Sequence, residues 1–357
     1  MSHRVQKTSL PASYALGAIA APCILLLALV CAIGCSPSRD RIRSYQRHFL
    51  ALDTQIDVTV HSASDPASVL DGVQHAFSEY DTLWSISSAS SDTWKINHRS
   101  GLTVTVDPRT VEIARFSQQA CTDSNGLFDI TVAPLKYLYG LEAHQEQHRV
   151  PTAAELEHVR PLIGCQRFRV LSNTTLSVDP GVTLDFGGIA KGFILANVKD
   201  LLIRSGASGF LINAGGDIYA WGEKPDRTPW KIGIRNPRGE AEDLLGALQT
   251  SGGAVFTSGD YERFFIKDGI RYHHIFDPFT LMPASFNRSA TVVGPDPREV
   301  DTSVKIAFCM KADQAIDYLR GRHMEGILVD SAGKVWISKE LRGKFEAADT
   351  SQAIEYH

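Results

Sequence analysis

Residues 183–205 narrow the architecture more than any other stretch of the chain. Thr183–Phe186 is strand-like, Gly187-Gly188 interrupts it, and Ala190–Ser205 reads as a helix of about four turns. That helix carries Ile194, Leu195, Val198, Leu201 and Leu202 on one face. A strand running through a glycine pair into an amphipathic helix points to an α/β arrangement, because the apolar stripe must be buried against another layer. Glycines at such a junction let backbone approach a ligand, and a helix N-terminus directs free N–H groups at an anion. The run Asp185-Phe186-Gly187-Gly188-Ile189-Ala190-Lys191-Gly192 is neither GxxxxGKS/T nor GxGxxG. Spacing alone therefore implies neither a mononucleotide nor a dinucleotide site. A tight turn with a solvated Lys191 accounts for the pattern equally well.

The remaining segments agree with a mixed α/β body. His48–His61 alternates like a strand, Pro66–Ser88 has helical spacing, Thr103–Val106 reads as a strand and Thr110–Ser124 as a helix. Further on, Gly209–Trp221, Trp230–Arg235, Gly253–Thr257, His274–Phe276 and Thr291–Gly294 read as strands, and Val300–Leu319 as one helix. Gly326–Asp330 and Lys334–Ser338 flank Ala332-Gly333, a hairpin signal. With no repeat and no low-complexity linker, residues 45–357 are expected to form one α/β (α+β mixed) domain with room for two lobes.

The N-terminus has a different character. His3, Arg4 and Lys7 precede an apolar run, Ala15–Gly34, that ends at Cys35-Ser36-Pro37. A short basic region before an apolar stretch is the layout of an export signal. Ala32-Ile33-Gly34-Cys35 resembles a bacterial lipobox, so residues 1–34 are expected to be a signal peptide and Cys35 the lipidated residue. An uncleaved membrane anchor is the alternative. Residues 35–44 then form a short tether, and the body lies outside the cytoplasm at a membrane surface.

Charge and cysteine usage remove other classes. Lys and Arg number 36 against 40 Asp and Glu, for a net charge of −4. That balance argues against nucleic acid as the main partner, since a phosphate footprint needs surplus base. A mean hydropathy of −0.10 excludes a polytopic membrane protein. Cys121, Cys165 and Cys309 are widely separated and lack CxxC spacing, so no zinc site is visible. They read as three buried thiols, with a Cys121–Cys165 bridge as the alternative.

Two further clusters carry chemistry. Ile212-Asn213-Ala214-Gly215-Gly216-Asp217 places a Gly pair inside strand-like sequence, which suggests a bulge or a close backbone approach. Thr257-Ser258-Gly259-Asp260-Tyr261-Glu262-Arg263, followed by Tyr272-His273-His274, brings together hydroxyls, carboxylates, an Arg and two imidazoles. Such a set can bind a phosphorylated ligand and move a proton. Adjacent strand residues face opposite ways, so at most one of His273 and His274 points into a given site.

In order, these segments resemble the ApbE family of FAD:protein FMN transferases. That family reads close to DLGGIAKG, GGDI, TSGDYER and HIIDPxTGxP, which stand here at Asp185–Gly192, Gly215–Ile218, Thr257–Arg263 and His274–Pro283. Gly126–Leu135 matches GxFDITVxPL, and Ser91–Asn97 resembles SEISRLN. The resemblance implies an enzyme that cleaves FAD, leaves FMN esterified to a Thr or Ser of a target protein, and releases AMP. It implies His274 as the base. It also implies Mg²⁺ held by Asp301 and the Ala190 carbonyl, and flavin or phosphate contacts from Asp185, Gly187, Gly188, Lys191, Asp217, Ser258, Gly259 and Asp260.

Three departures stand out. Lys305 occupies the position where the family carries a Thr ligand four residues after the metal carboxylate, and a protonated ammonium cannot ligate Mg²⁺. Leu281 replaces the Gly of DPxTG, and Ala196 stands where many relatives carry Asp. A Mg²⁺-dependent FAD pyrophosphatase and a non-catalytic flavin-binding lipoprotein are therefore kept beside the transferase.

Overall fold

Side-chain alternation decides how the central sheet is covered. In the computed structural model, residues 42–142, 145, 147–240 and 242–357 are described. The expected signal peptide, Cys35 and most of the tether lie outside them. The sheet has nine strands, and their spatial order is their chain order. They are β1 (Arg43–Ala51), β2 (Thr54–Ser62), β3 (Gly209–Ala214), β4 (Asp217–Gly222), β5 (Gly253–Gly259), β6 (Asn287–Gly294), β7 (Glu325–Asp330), β8 (Val335–Ile337) and β9 (Ile354–Tyr356). Each pairs antiparallel with the next except β8 and β9, which are parallel. Eight α-helices are described: α1 (Ala67–Trp84), α2 (Asp92–His98), α3 (Pro108–Asp123), α4 (Ala133–Tyr139), α5 (Ala153–Val159), α6 (Ala190–Arg204), α7 (Pro297–Phe308) and α8 (Ala312–Arg320). Among the described residues no helix is long and apolar enough to cross a membrane.

Phe210, Ile212, Ala254, Phe256, Val292 and Leu328 share one buried core with apolar residues of α1, α6, α7 and α8. Their neighbours Val255, Val293, Ile327 and Val329 turn to the other face. There they meet Ile232, Ile234, Leu245 and Leu248 of a three-stranded sheet, Phe345–Ala347, Leu244–Thr250 and Trp230–Arg235. The period-2 alternation thus buries both faces, one under helices and one under a second sheet.

Several expected elements divide. His48–His61 is a hairpin, not one strand: Leu52 and Asp53 both have φ +56° and form the two-residue loop between β1 and β2. Gly209–Trp221 is likewise two strands. Gly215 (φ +62°) and Gly216 (φ +93°) are its turn, which corrects the expected bulge. Both loops take the left-handed backbone that suits the strand twist. A Cβ on Gly215 would sit 2.3 Å from the Thr54 hydroxyl oxygen, so glycine is also required for space. Val300–Leu319 splits into α7 and α8. Asn287 donates its side-chain amide to the carbonyls of Phe308 (2.9 Å) and Met310 (2.7 Å), closing the α7 C-terminus.

Two further corrections bear on the site. Thr183–Phe186 is not a strand. The Leu184 backbone is held instead by the Asn97 side chain on both its N–H (2.8 Å) and its C=O (2.9 Å), and Asp185 N–H donates to the Ile130 carbonyl at 2.8 Å. A short 3₁₀ turn, Phe186–Gly188, then leads into α6. The strand expected over His274–Phe276 is displaced: Ile270–His273 pairs with Phe264–Lys267, His274 and Ile275 lie in the connection after it, and Phe276–Asp277 pairs with Met282–Pro283. Finally, Cys121 and Cys165 form a disulfide, so only Cys309 is a free, buried thiol among the described cysteines.

Candidate active site

Of the predicted residues, Lys191, Asp217 and Asp301 come together in one network, where the first turn of α6 meets β4, β5 and the buried face of α7. Helix α6 approaches α7 closely because Gly192 has no side chain. A Cβ there would lie 2.6 Å from the Pro297 carbonyl oxygen and 2.8 Å from Asp301 Cβ. In that contact Gly192 N–H donates to Asp301 Oδ2 at 2.7 Å, and Asp301 is fully buried. Replacing Gly192 by Ala is expected to destabilise the fold by about 1–3 kcal/mol through overpacking. Helix propensity alone favours Ala by about 1 kcal/mol, so the sign separates the two effects. A urea titration reads it, and a higher midpoint for Gly192→Ala would show that the helices can part without loss.

Around that contact, two carboxylates and two ammonium groups alternate. Asp301 pairs with Lys305 one turn along α7, and Asp217 pairs with Lys191. Asp217 Oδ1 also accepts Thr257 N–H at 3.1 Å. Burial pushes the Asp301 carboxyl up, with Asp217 adding to this and Lys305 and Lys191 opposing it. Burial lowers Lys191, but Asp217 and Asp301 outweigh it and hold its ammonium above the usual value. The carboxylates are sealed, with side-chain exposures of 0% for Asp301 and 3% for Asp217, whereas Lys305 retains 21% and Lys191 27%.

A second ion pair lies beside the glycine turn. Asp185 Oδ1 accepts Gly187 N–H at 2.7 Å, and its other oxygen meets Lys136 of α4. Burial opposes the charge on Asp185, yet Lys136 and the Gly187 N–H hold its carboxyl below the usual range. Nothing in the residue pattern singled out Lys136. It sits in a helix of seven residues next to the Gly126–Leu135 motif, and only the fold turns it towards Asp185.

The two histidines have opposite surroundings. His273 is buried; its Nδ1 accepts Ile275 N–H at 3.3 Å and its Nε2 donates to the Ala284 carbonyl at 2.9 Å. Both ring nitrogens are therefore spent in one neutral tautomer. His274 donates only its backbone N–H, to the Arg263 carbonyl at 3.2 Å, and its Nδ1 is buried with no hydrogen-bond partner in the protein. Burial pulls the His274 imidazole well below 6.5, and Lys136, His273 and Arg263 push it further the same way.

Ser258 and Gly259 close β5, where Ser258 is buried. The next residue, Asp260, spends both carboxylate oxygens on Arg238, at 2.7 and 2.6 Å. Arg238 is thus the outward-facing partner of a position that the sequence presents only as an acid. Leu281 has φ +61° and is fully buried beside Tyr139, Tyr272 and Phe276. The left-handed conformation costs a non-glycine residue about 1–2 kcal/mol. Burying a Leu side chain offsets that by about 1.5–3 kcal/mol.

The expected Mg²⁺ set can be tested against these contacts. Mg²⁺ demands near-octahedral oxygen ligands. Asp301 has one oxygen on Gly192 N–H and the other on Lys305, and Lys305 brings a donor where an oxygen is needed. The residues present do not fit Mg²⁺.

Comparison with known proteins adds independent findings. Residues 52–328 match the model of the ApbE family. The chain is 30% identical over 323 residues to a FAD:protein FMN transferase of Klebsiella pneumoniae strain 342, covering 89% of this chain and 98% of that one. It is 28% identical over 318 residues to a FAD:protein FMN transferase of Treponema pallidum, covering 83% and 87%. The crystal structure of the ApbE protein of Thermotoga maritima superimposes with a TM-score of 0.80 at 29% identity, covering 85% of this chain and 99% of that one.

Proposed function

The chain belongs to the ApbE family, and from that membership and the site's geometry we propose that it is a FAD:protein FMN transferase. The observation that carries the chemistry is His274: an imidazole with an unpaired, buried Nδ1, kept neutral by burial and by the charges of Lys136 and Arg263. A general base must be neutral at working pH and have a free lone pair, and His274 meets both conditions. In the transfer, a Thr or Ser hydroxyl oxygen of the target protein attacks the FMN-side phosphorus of FAD. His274 takes the hydroxyl proton. The bridging P–O bond breaks, its electron pair leaves on AMP, and a phosphoester to FMN remains on the target.

In this reading Lys191, at the start of α6, faces the pyrophosphate, and Gly187 and Gly188 let it approach the backbone. Ser258 and Gly259, at the end of β5, complete the proposed flavin and phosphate contacts. Asp185 holds Lys136, Asp217 holds Lys191, and Asp260 holds Arg238, so these carboxylates position cations for the phosphates and flavin. The Mg²⁺ expected at Ala190 and Asp301 is given no step.

The same reading places the protein outside the cytoplasm, with residues 1–34 removed and Cys35 carrying a lipid at a membrane surface. The Cys121–Cys165 disulfide supports an oxidising compartment. Incubation of the protein with FAD and a candidate extracytoplasmic acceptor tests the function by mass spectrometry. The expected result is an acceptor heavier by FMN, with AMP released in equal amount. Free FMN without acceptor modification would replace the transferase by a pyrophosphatase, and tight FAD binding without AMP would leave a flavin-binding protein.

A further inference from the structure

We propose that Lys305 is the resident cation of the transfer site, and that this chain binds and cleaves FAD without a divalent metal. The inference rests on the reading that FAD is the substrate. Lys305 lies four residues after Asp301 on α7, so both side chains share one helix face. The contact between them and the Gly192 N–H together occupy both oxygens of Asp301. Asp217 is spent in the same way, on Lys191 and on Thr257 N–H. The four side chains are balanced as they stand, two negative and two positive, and need no dication to neutralise them.

Exposure gives the direction in which this network works. Both carboxylates are closed to solvent, while Lys305 and Lys191 keep about a fifth and a quarter of their side-chain surface. Of the four side chains only the two lysines reach the open side of the network, so a pyrophosphate arriving there meets lysine side chains and no carboxylate. In a metal-dependent site the order is reversed: carboxylate oxygens face outward to collect the ion, and the ion faces the phosphates. A Mg²⁺ ion entering here would have to displace Lys305 from Asp301 and then sit beside its ammonium. Lys191 and Lys305 thus supply the positive charge that a phosphoryl-transfer site requires.

The test uses the purified full chain. FAD binding and AMP release are measured in excess EDTA and in excess MgCl₂, and MgCl₂ alone is titrated into flavin-free protein by calorimetry. The expected results are equal rates in both conditions and no saturable heat. Lys305→Met is expected to lose roughly 10²-fold in rate in EDTA, the scale of losing one charge-stabilising group. Lys305→Arg keeps the cation and separates loss of charge from loss of fold, which thermal melts of each variant check. Lys305→Thr is expected to make turnover depend on MgCl₂. A wild type silenced by EDTA and restored by MgCl₂ overturns the inference and leaves the transferase reading intact, as does Lys305→Met at full rate in EDTA. A wild type that binds no FAD in either condition overturns the transferase reading itself.

Discussion

Replacing His274 by Ala is expected to slow flavin transfer by about 10²–10⁴-fold while leaving the FAD dissociation constant nearly unchanged. In the proposed mechanism the imidazole acts as the base, whereas Lys191, Arg238 and backbone N–H groups hold the flavin nucleotide. His273→Ala makes the control. Its ring bridges Ile275 N–H and the Ala284 carbonyl, so its loss should lower stability and affect rate only through folding. The pH profile gives a second readout. His274 is driven well below 6.5, so its neutral, basic form persists across the physiological range. The acid limb of kcat/KM should therefore fall below pH 6.5, with no rise between pH 6.5 and pH 8. The stability sign follows. Below the unfolded value the unfolded chain binds a proton that the folded chain refuses, so this group's contribution, present at neutral pH, is lost as pH falls from about 6.5. A kcat/KM that climbs through pH 7 in the wild type, or a His274→Ala variant of normal rate, would remove His274 from the chemistry.

Much of the scaffold was legible because the two periods that build it are written plainly. The α6 stripe of Ile194, Leu195, Val198 and Leu202 and the alternation through β1 and β2 each emerge from spacing alone. What escaped were the punctuation marks. Leu52-Asp53 carries no Asn-Gly signal, so two alternating strands read as one until the positive φ angles divide them. The α7–α8 break is made by Asn287, a residue distant in sequence, and no local pattern in 300–319 announces it. At the site the limit was similar. Order and identity of Asp185, Lys191, Asp217, Asp260 and His274 were readable, but their partners were not. Lys136 and Arg238 come from helix and loop segments whose composition is ordinary, and only long-range folding turns them towards Asp185 and Asp260.

The largest effect on stability is expected from removing the disulfide. Cys121 closes the last turn of α3 and Cys165, 44 positions further on, opens a 3₁₀ turn. In the chain-entropy account a loop of that length is worth roughly 4 kcal/mol, and native disulfides commonly contribute about 2–5 kcal/mol. The enclosed segment is also the one that delivers Lys136. It is tied to the rest of the protein by apolar packing of Phe128, Ile130, Leu135 and Tyr139, and by polar contacts from the Ile130 carbonyl to Asp185 N–H and from Lys136 to Asp185. Reduction lengthens the tether but leaves those contacts in place, so folded protein should still form at lower stability. A Cys121→Ala, Cys165→Ala double variant is accordingly expected to unfold at a lower urea midpoint by about 2–4 kcal/mol. Its FAD turnover should fall as the Lys136 segment opens locally before the sheet does. Hydrogen exchange separates this from uniform loosening. Amides in 126–142 should lose protection in the variant, while those of β5 and β6 keep theirs relative to its global stability. Equal midpoints for the oxidised and cysteine-free proteins would mean that packing and polar contacts alone hold the segment, and that the disulfide does not stabilise it.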